Sequence, residues 1–166
     1  MRLLAIPVAL VVSAGVATLA QEPSMIETKA WLETEAPSMM SAQVGFTGGA
    51  VAKVTVSGIT LNDCVLSWTE RYTGAMEDQN TVALPLRAVD TGGVLARLKD
   101  DTLPRSDYVE VPVRKATGQT VTRSRPGKSA ETSESVMMLA TDAIAAGRVA
   151  NAVRRAATLC GATSPF

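Results

Sequence analysis

The chain has 166 residues, with 16 basic and 16 acidic side chains, 46% hydrophobic residues, two cysteines and no histidine. This balanced charge argues against a dedicated nucleic-acid-binding protein, which usually carries a basic excess. The lack of histidine excludes Ser-His-Asp and Cys-His catalysis and every metal site that uses histidine. The length is that of one domain with a sizeable core.

The first twenty residues have the pattern of a secretory signal peptide. Arg2 supplies a positive start, residues 3–19 are predominantly apolar, and residues 18–20 end in small residues suited to cleavage before Gln21. The alternative is an uncleaved membrane anchor, because the apolar run approaches the ~17–25 residues that a membrane helix needs. A proline and a glycine within the run favour cleavage. We therefore predict a secreted or periplasmic protein, whose mature chain has a net charge of about −1.

A short helix is predicted over residues 24–35. Ser24 and Glu27 have the spacing of a capping box, and Pro37 is expected to end the helix. Trp31 lies on the apolar side of this helix. We interpret its indole as an anchor that holds the helix to the domain, with stacking on a ligand as the alternative.

The sequence divides into three parts. Residues 1–20 are the signal peptide, residues 21–50 contain the short helix and a connector, and residues 51–166 form a β-rich domain. The connector, residues 39–50, contains three glycines and is predicted to be flexible. There is no internal repeat and no low-complexity tract.

Apolar and polar residues alternate from Val51 onward, which predicts six or seven short strands. Within residues 59–72 the apolar positions change parity after Leu61. We predict one long strand that bends at Asn62-Asp63, because a strand cannot change parity without a bulge or a corner. Cys64 would then face inward.

Five further strands are predicted over residues 81–89, 94–98, 108–114, 119–125 and 135–140. Pro85 cannot donate a hydrogen bond, so its strand is expected at a sheet edge or at a bulge. Residues 119–125 are expected to pair with residues 108–114. Residues 126–133 are predicted to be a polar, mobile segment.

The clearest predicted helix spans residues 142–160. Asp142 can cap its start and Gly161 follows as a stop. One face consists mostly of alanine and allows close packing; its members are Leu139, Ala143, Ala146, Ala150, Val153, Ala157 and Cys160. Cys160 and Cys64 most simply form one disulfide in an exported chain, with free buried thiols as the alternative.

This order of elements, with a bent first strand and a single terminal helix, resembles that of pleckstrin-homology-like domains over residues 54–161. The resemblance implies an α+β fold, a small antiparallel β-sandwich or partly open barrel closed by the C-terminal helix. The chain also resembles uncharacterised exported bacterial proteins with a leading helix (27–32), a strand cysteine (63–64) and a helix ending in Leu-Cys-Gly (159–161). That second resemblance implies a disulfide and no activity.

Lipid-binding members of the pleckstrin-homology-like fold hold phosphates with clustered basic residues, in the loop after the first strand and on the strands beside it. The matching turn in this chain, residues 73–78, carries Glu77 and Asp78 instead. Arg71 is the single basic residue nearby. The lipid-site residues of the family therefore do not carry over.

One stretch of the sequence has a local basic excess, with five basic residues and no acidic one: Arg114, Lys115, Arg123, Arg125 and Lys128. If residues 119–125 pair with residues 108–114, these side chains gather around one hairpin. They would then form a docking patch for an anionic surface or a protein partner. The alternative is a solvated sheet edge whose charges discourage aggregation.

We identify no catalytic residue, no metal site and no cofactor. Asp63, residues 77–78 and residues 100–101 are interpreted as turn residues, with a carboxylate-based hydrolase or a Ca²⁺ site as alternatives. We predict an exported, monomeric, non-enzymatic binding or scaffolding module, with no nucleic-acid partner and no membrane contact after signal removal. A membrane-tethered accessory protein is the second alternative.

Overall fold

The computed structural model describes residues 22–46, 48–98 and 106–163, so the predicted signal peptide and Asp100-Asp101 lie outside the described residues. Within these ranges there are three α-helices: α1 (Met25–Thr34), α2 (Ala36–Met40) and α3 (Ala143–Leu159). Two short 3-10 helices cover Leu86–Ala88 and Lys115–Thr117. The nine strands are β1 (Gln43–Gly45), β2 (Val51–Asn62), β3 (Val65–Gly74), β4 (Asp78–Pro85), β5 (Leu95–Arg97), β6 (Tyr108–Pro112), β7 (Val121–Ser124), β8 (Glu131–Ser133) and β9 (Ser135–Leu139).

The strands form two antiparallel sheets. The larger sheet has the order β1-β2-β3-β4-β7-β8 and curls into a half-barrel, whereas the smaller sheet has the order β5-β6-β9. Together with the terminal helix and the short leading helix, they confirm the predicted α+β class. The described strands outnumber the six or seven predicted because β1 and β8 have three residues each and little apolar alternation.

The parity change after Leu61 has a different cause from the one predicted. Instead of one bent strand, the chain reverses direction in a tight turn, and Asn62 pairs with Val65. The two turn residues, Asp63 and Cys64, have φ of 49° and 62°, the backbone conformation of the turns that suit the twist of two-residue hairpins. The irregularity in β2 lies further back, where the register shifts around Gly58.

Two expectations about strand pairing are wrong. Residues 119–125 do not pair with residues 108–114; β7 pairs instead with β4 and β8 of the larger sheet. The strand that contains Pro85 is an interior strand, not an edge. Pro85 is its last residue and lies beyond the final pair with β7 at Ala83, so no ladder bond from its nitrogen is lost on that side.

The leading helix has the predicted capping box. The Ser24 hydroxyl accepts a hydrogen bond from the Glu27 N–H, and the Glu27 carboxylate accepts one from the Ser24 N–H. Pro37 does not end this helix but lies in the first turn of α2. The segment expected to be a flexible connector, residues 39–50, includes the end of α2 and all of β1, which pairs with β2.

Helix α3 begins and ends where the sequence indicates. The Asp142 carboxylate accepts a hydrogen bond from the Ala145 N–H at 2.8 Å, and Gly161 follows with φ 85°. The buried face differs from the predicted one. Ala143 is exposed, whereas Ala145, Val149 and Ala156 are buried although they were not expected on that face. Helix α3 packs against α1, α2, β5 and β6, and no described helix is long and apolar enough to cross a membrane.

The predicted disulfide joins Cys64 and Cys160, with 5.7 Å between their Cα atoms. Cys64 lies in the β2–β3 turn and is half-buried, rather than facing inward from a strand. The bond therefore attaches the end of α3 to the start of β3. Both sheets and all three helices contribute to one hydrophobic core, in which Trp68 is almost completely buried.

Candidate binding groove between the two sheets

A groove of about 570 Å³ lies between the half-barrel and the smaller sheet, and we call it the inter-sheet groove. Its walls come from β1, β3, β4, β7 and β8 of the larger sheet and from β6 and β9 of the smaller one. Apolar side chains such as Phe46, Val121 and Leu139 line it together with charged ones, including Arg123 and Arg125. A mixture of apolar walls and a few placed polar groups is typical of ligand sites.

The carboxylate of Glu70 lies buried beside this groove, with 3% of the residue exposed. Trp68 Nε1 donates to Glu70 Oε1 at 3.0 Å, and the Tyr72 hydroxyl donates to Glu70 Oε2 at 3.0 Å. The Arg123 guanidinium lies 3.6 Å from the same Oε2. We call these four residues the Glu70 cluster. Tyr72 and Arg123 belong to the groove wall, so the buried carboxylate holds two side chains that a ligand would meet.

Strand geometry explains why these side chains converge. Trp68, Glu70 and Tyr72 alternate along β3, so their side chains lie on one face of the half-barrel. β4 lies between β3 and β7, and Val82, which pairs with both Trp68 and Arg123, links their registers. Arg123 therefore reaches across β4 to the Glu70 carboxylate.

Arg125 is held in the groove in a similar way. Its Nε donates to Asn80 Oδ1 at 3.0 Å, and Asn80 is buried. Its guanidinium lies 3.5 Å from Asp78 Oδ2 and 3.8 Å from Glu131 Oε2. Both distances exceed those of a close charge-assisted hydrogen bond, so these ion pairs are loose.

The five residues of the predicted basic patch do not share one hairpin. Arg123 and Arg125 turn into the groove, whereas Lys115 forms an ion pair with Glu134 at 2.9 Å. Arg114 donates to the Thr163 hydroxyl and to the backbone carbonyl of Arg87. Lys128 is exposed in the turn between β7 and β8.

The acidic residues that we interpreted as turn residues also separate in space. Asp78 lines the groove together with Glu110 and Glu131, whereas Glu77 accepts a hydrogen bond from the Gly74 N–H. Asp63 occupies the β2–β3 turn. Across the described ranges there is no group of three or more histidine, cysteine, aspartate or glutamate residues that could hold a metal ion.

A larger cleft of about 880 Å³ lies between α1 and α3. There the Arg148 guanidinium lies over the Trp31 ring, 5.6 Å from its centre, and Trp31 packs against the core as an anchor would. Arg154 donates to two backbone carbonyls just before β5, and Arg155 is paired with Glu22. Among the described residues, no buried carboxylate holds the charged residues of this cleft, whereas the buried Glu70 carboxylate holds Arg123 of the inter-sheet groove. We therefore regard this cleft as part of the packing interface between α1 and α3, and the inter-sheet groove as the candidate site.

The electrostatics of the Glu70 cluster act on the phenol of Tyr72. Burial raises the pKa of Tyr72 well above its usual value, and the negative charge and the hydrogen bond of Glu70 raise this pKa further. Arg123 opposes the shift. The neutral phenol that donates to Glu70 is therefore favoured in the folded protein.

This shift predicts a loss of stability at alkaline pH. The pKa of Tyr72 is higher in the folded state than the value of about 10 in the unfolded state. The neutral Tyr72 phenol therefore makes its full contribution to the free energy of unfolding below pH about 10. It is lost as the pH rises from there through the folded-state pKa. Chemical denaturation above pH 10 should show a steeper decline for the native chain than for Tyr72→Phe. Equal slopes would contradict the assignment.

Sequence reasoning missed Glu70, which is central to the site. One signal was available, because Glu70 has the same strand parity as the apolar Trp68, and a charged residue at an inward position needs a partner. The partner could not be identified, since Arg123 lies on another strand more than fifty residues away.

Comparison with known proteins gave no match to a protein-family model, a curated protein or a solved structure. The described part of the chain is an α+β domain closed by a disulfide, with a charged groove between its sheets.

Proposed function

We propose that this protein is an exported, non-enzymatic binding module whose ligand occupies the inter-sheet groove. The Glu70 cluster is the observation that carries the proposal. A buried ion pair rarely adds net stability compared with apolar packing, so stability alone gives little reason to retain one. A buried carboxylate that accepts a hydrogen bond at each oxygen does, however, fix the side chains around it, and preorganised side chains are what a binding site requires.

Export is supported by two features. Disulfides persist in oxidising compartments, and Cys64–Cys160 is compatible with one. Residues 1–20 have the composition of a signal peptide, and a retained segment would make the protein a membrane-tethered accessory protein instead. A pleckstrin-homology-like relationship remains part of the proposal.

Site-specific photocrosslinking tests the binding function. A photoreactive phenylalanine analogue at Thr132 or Met137 would lie in the groove, whereas the same group at Ile144, which is 77% exposed on α3, would not. In the cells that produce the protein, we expect one common adduct from both groove positions and none from Ile144. Absence of adducts from the groove, or the same adduct from all three positions, would contradict the proposal.

A carboxylate-based hydrolase remains the second candidate, because Asp78, Glu110 and Glu131 border the same groove. Each of them has an arginine within ion-pairing distance. This function predicts hydrolytic turnover that is abolished by Asp78→Asn or Glu131→Gln. The binding module predicts no turnover.

A further inference from the structure

We propose that the ligand of the inter-sheet groove is an extended peptide segment of a partner protein, which adds as a strand to the free edge of β9. An acidic group of this peptide would lie against Arg123. This inference rests on the proposed function and specifies the chemistry of the ligand.

Among the described strands, β9 is a terminal strand of the smaller sheet and pairs with β6 on one side only. The Val113 N–H donates to the backbone carbonyl of Glu134 at 2.7 Å, and the Ala140 N–H donates to the backbone carbonyl of Asp107 at 2.8 Å. These two bonds fix which residues of β9 direct their backbone groups towards β6. In an antiparallel pair, alternate residues direct their backbone groups towards the partner strand. Met137 therefore directs its N–H and C=O away from β6.

The edge lacks the features that usually block strand pairing. Sheet edges of soluble proteins are commonly protected by charged residues or proline, yet β9 reads Ser-Val-Met-Met-Leu. Met137 at its centre is 48% exposed. By contrast, β5, the other edge strand of this sheet, carries Arg97. β8, an edge strand of the larger sheet, carries Glu131. An uncharged, partly apolar edge is suited to pairing with another chain.

This edge also borders the groove. Ser135, Met137 and Leu139 line it together with the apolar Phe46 and Val121. A peptide strand paired with β9 would direct alternate side chains to opposite faces, so every second residue could enter the groove. Apolar residues at alternate positions of the peptide are therefore expected.

Arg123 supplies the charge complementarity. Among the described residues, the Arg123 side chain makes one ion pair, with Glu70, and 31% of this side chain is exposed. A guanidinium has five N–H donors, and most of those on Arg123 are available to a ligand. The Glu70 carboxylate lies buried behind it, so the positive end of the pair faces the groove. A carboxylate of the peptide can accept two of these donors side by side.

A partner peptide is favoured over a second copy of this chain. Pairing of two β9 edges would use the same backbone groups, but β9 itself contains no acidic residue to meet Arg123. A peptide with its own aspartate, glutamate or terminal carboxylate satisfies both the edge and the arginine.

Selection of random-sequence peptides on the mature, oxidised protein tests this inference. We expect enrichment of sequences with apolar residues at alternate positions and one acidic residue. Met137→Pro removes the outward N–H without removing a bond to β6, so it should weaken binding of the enriched peptides about tenfold or more. Met137→Ala keeps the N–H and removes only a side chain that lines the groove, so it should weaken binding several-fold less than Met137→Pro does.

The charge contact is tested in the same peptides. Arg123→Gln and replacement of the acidic peptide residue by its amide should each weaken binding, and the two changes together should cost little more than either alone. Amide hydrogen exchange adds a readout that needs no variant, because the exchange of Met137 N–H should slow when peptide binds. Melting curves establish that the variants are folded before affinities are compared.

The outcomes separate this inference from the proposed function. Strand addition is overturned if Met137→Pro does not change peptide affinity and bound peptide does not slow the exchange of the Met137 N–H. If Arg123→Gln still weakens binding of these peptides, the groove remains the binding site. Peptides that ignore both substitutions overturn the groove as well. Failure to enrich any peptide, or a dimer in solution that Met137→Pro dissociates, also overturns the peptide inference.

Discussion

Replacement of Glu70 by alanine is expected to lower the free energy of unfolding by about 3–5 kcal/mol. The carboxylate is buried and accepts from Trp68 Nε1 and the Tyr72 hydroxyl while it faces the Arg123 guanidinium. Alanine would leave two donors without their acceptor and a half-buried cation without its counter-charge. Chemical denaturation at neutral pH measures the loss.

The neighbouring residue provides a matched control. Arg71 is exposed on the opposite face of β3, so Arg71→Ala should change stability by less than about 0.5 kcal/mol. Adding Arg123→Met to Glu70→Ala should recover part of the loss, because the unpaired cation is then removed. A loss below about 1 kcal/mol for Glu70→Ala, or no recovery in the double variant, would show that the cluster does not hold the groove wall.

Removal of the disulfide is expected to have a comparable effect. The bond joins residues 96 positions apart, and closing a loop of that length contributes at most about 4–5 kcal/mol on the chain-entropy model, with measured values commonly about 2–4 kcal/mol. Cys64→Ala combined with Cys160→Ala should reduce the free energy of unfolding by about 2–4 kcal/mol. Denaturation without reductant provides the measurement.

Reductant serves as the control for that variant. The native chain should lose a similar amount of stability when reduced, whereas the double variant should not respond to reductant. If the oxidised native chain and the double variant unfold at the same denaturant concentration, the bond contributes nothing to the fold.

The disulfide also affects the site, because the turn that contains Cys64 leads directly into β3. This strand carries Trp68, Glu70 and Tyr72. Attachment to α3 therefore limits the movement of the strand that supports the groove. Loss of the bond should increase amide exchange along β3 more than along the part of β2 before Gly58, which the register shift separates from the turn.

Locally encoded features were predicted accurately. The capping box at Ser24 and the cap at Asp142 depend on residues three positions apart, so the sequence specifies them directly. The stop at Gly161 depends on a positive φ that glycine adopts at low cost. The disulfide followed from the presence of two cysteines in a chain predicted to be exported.

The incorrect expectations concern the direction of the chain and non-local pairing. A tight turn and a bend both change the parity of apolar positions, and Asp63-Cys64 lacks the glycine that usually marks a two-residue turn. The pairing of β7 with β4 also could not be predicted from neighbouring residues, because the chain crosses from the smaller sheet to the larger one between β6 and β7. Sequence spacing suggested a hairpin there instead.

The candidate site was only partly accessible to sequence reasoning. Arg123 and Arg125 were identified as unusual for their charge, but as members of a surface patch. Their ion pairs with Glu70, Asp78 and Glu131 depend on the order of four strands. Charge clustering along the chain therefore singled out two arginines that line the groove, but it predicted the wrong neighbours for them.

The most direct test of the proposal that this is an exported, disulfide-closed domain is its intact mass before and after reduction. The protein is recovered for this measurement from the cells that produce it. We expect the mass of residues 21–166, two hydrogens below that of the reduced chain. A mass that still includes residues 1–20, or one that does not change on reduction, would contradict that claim.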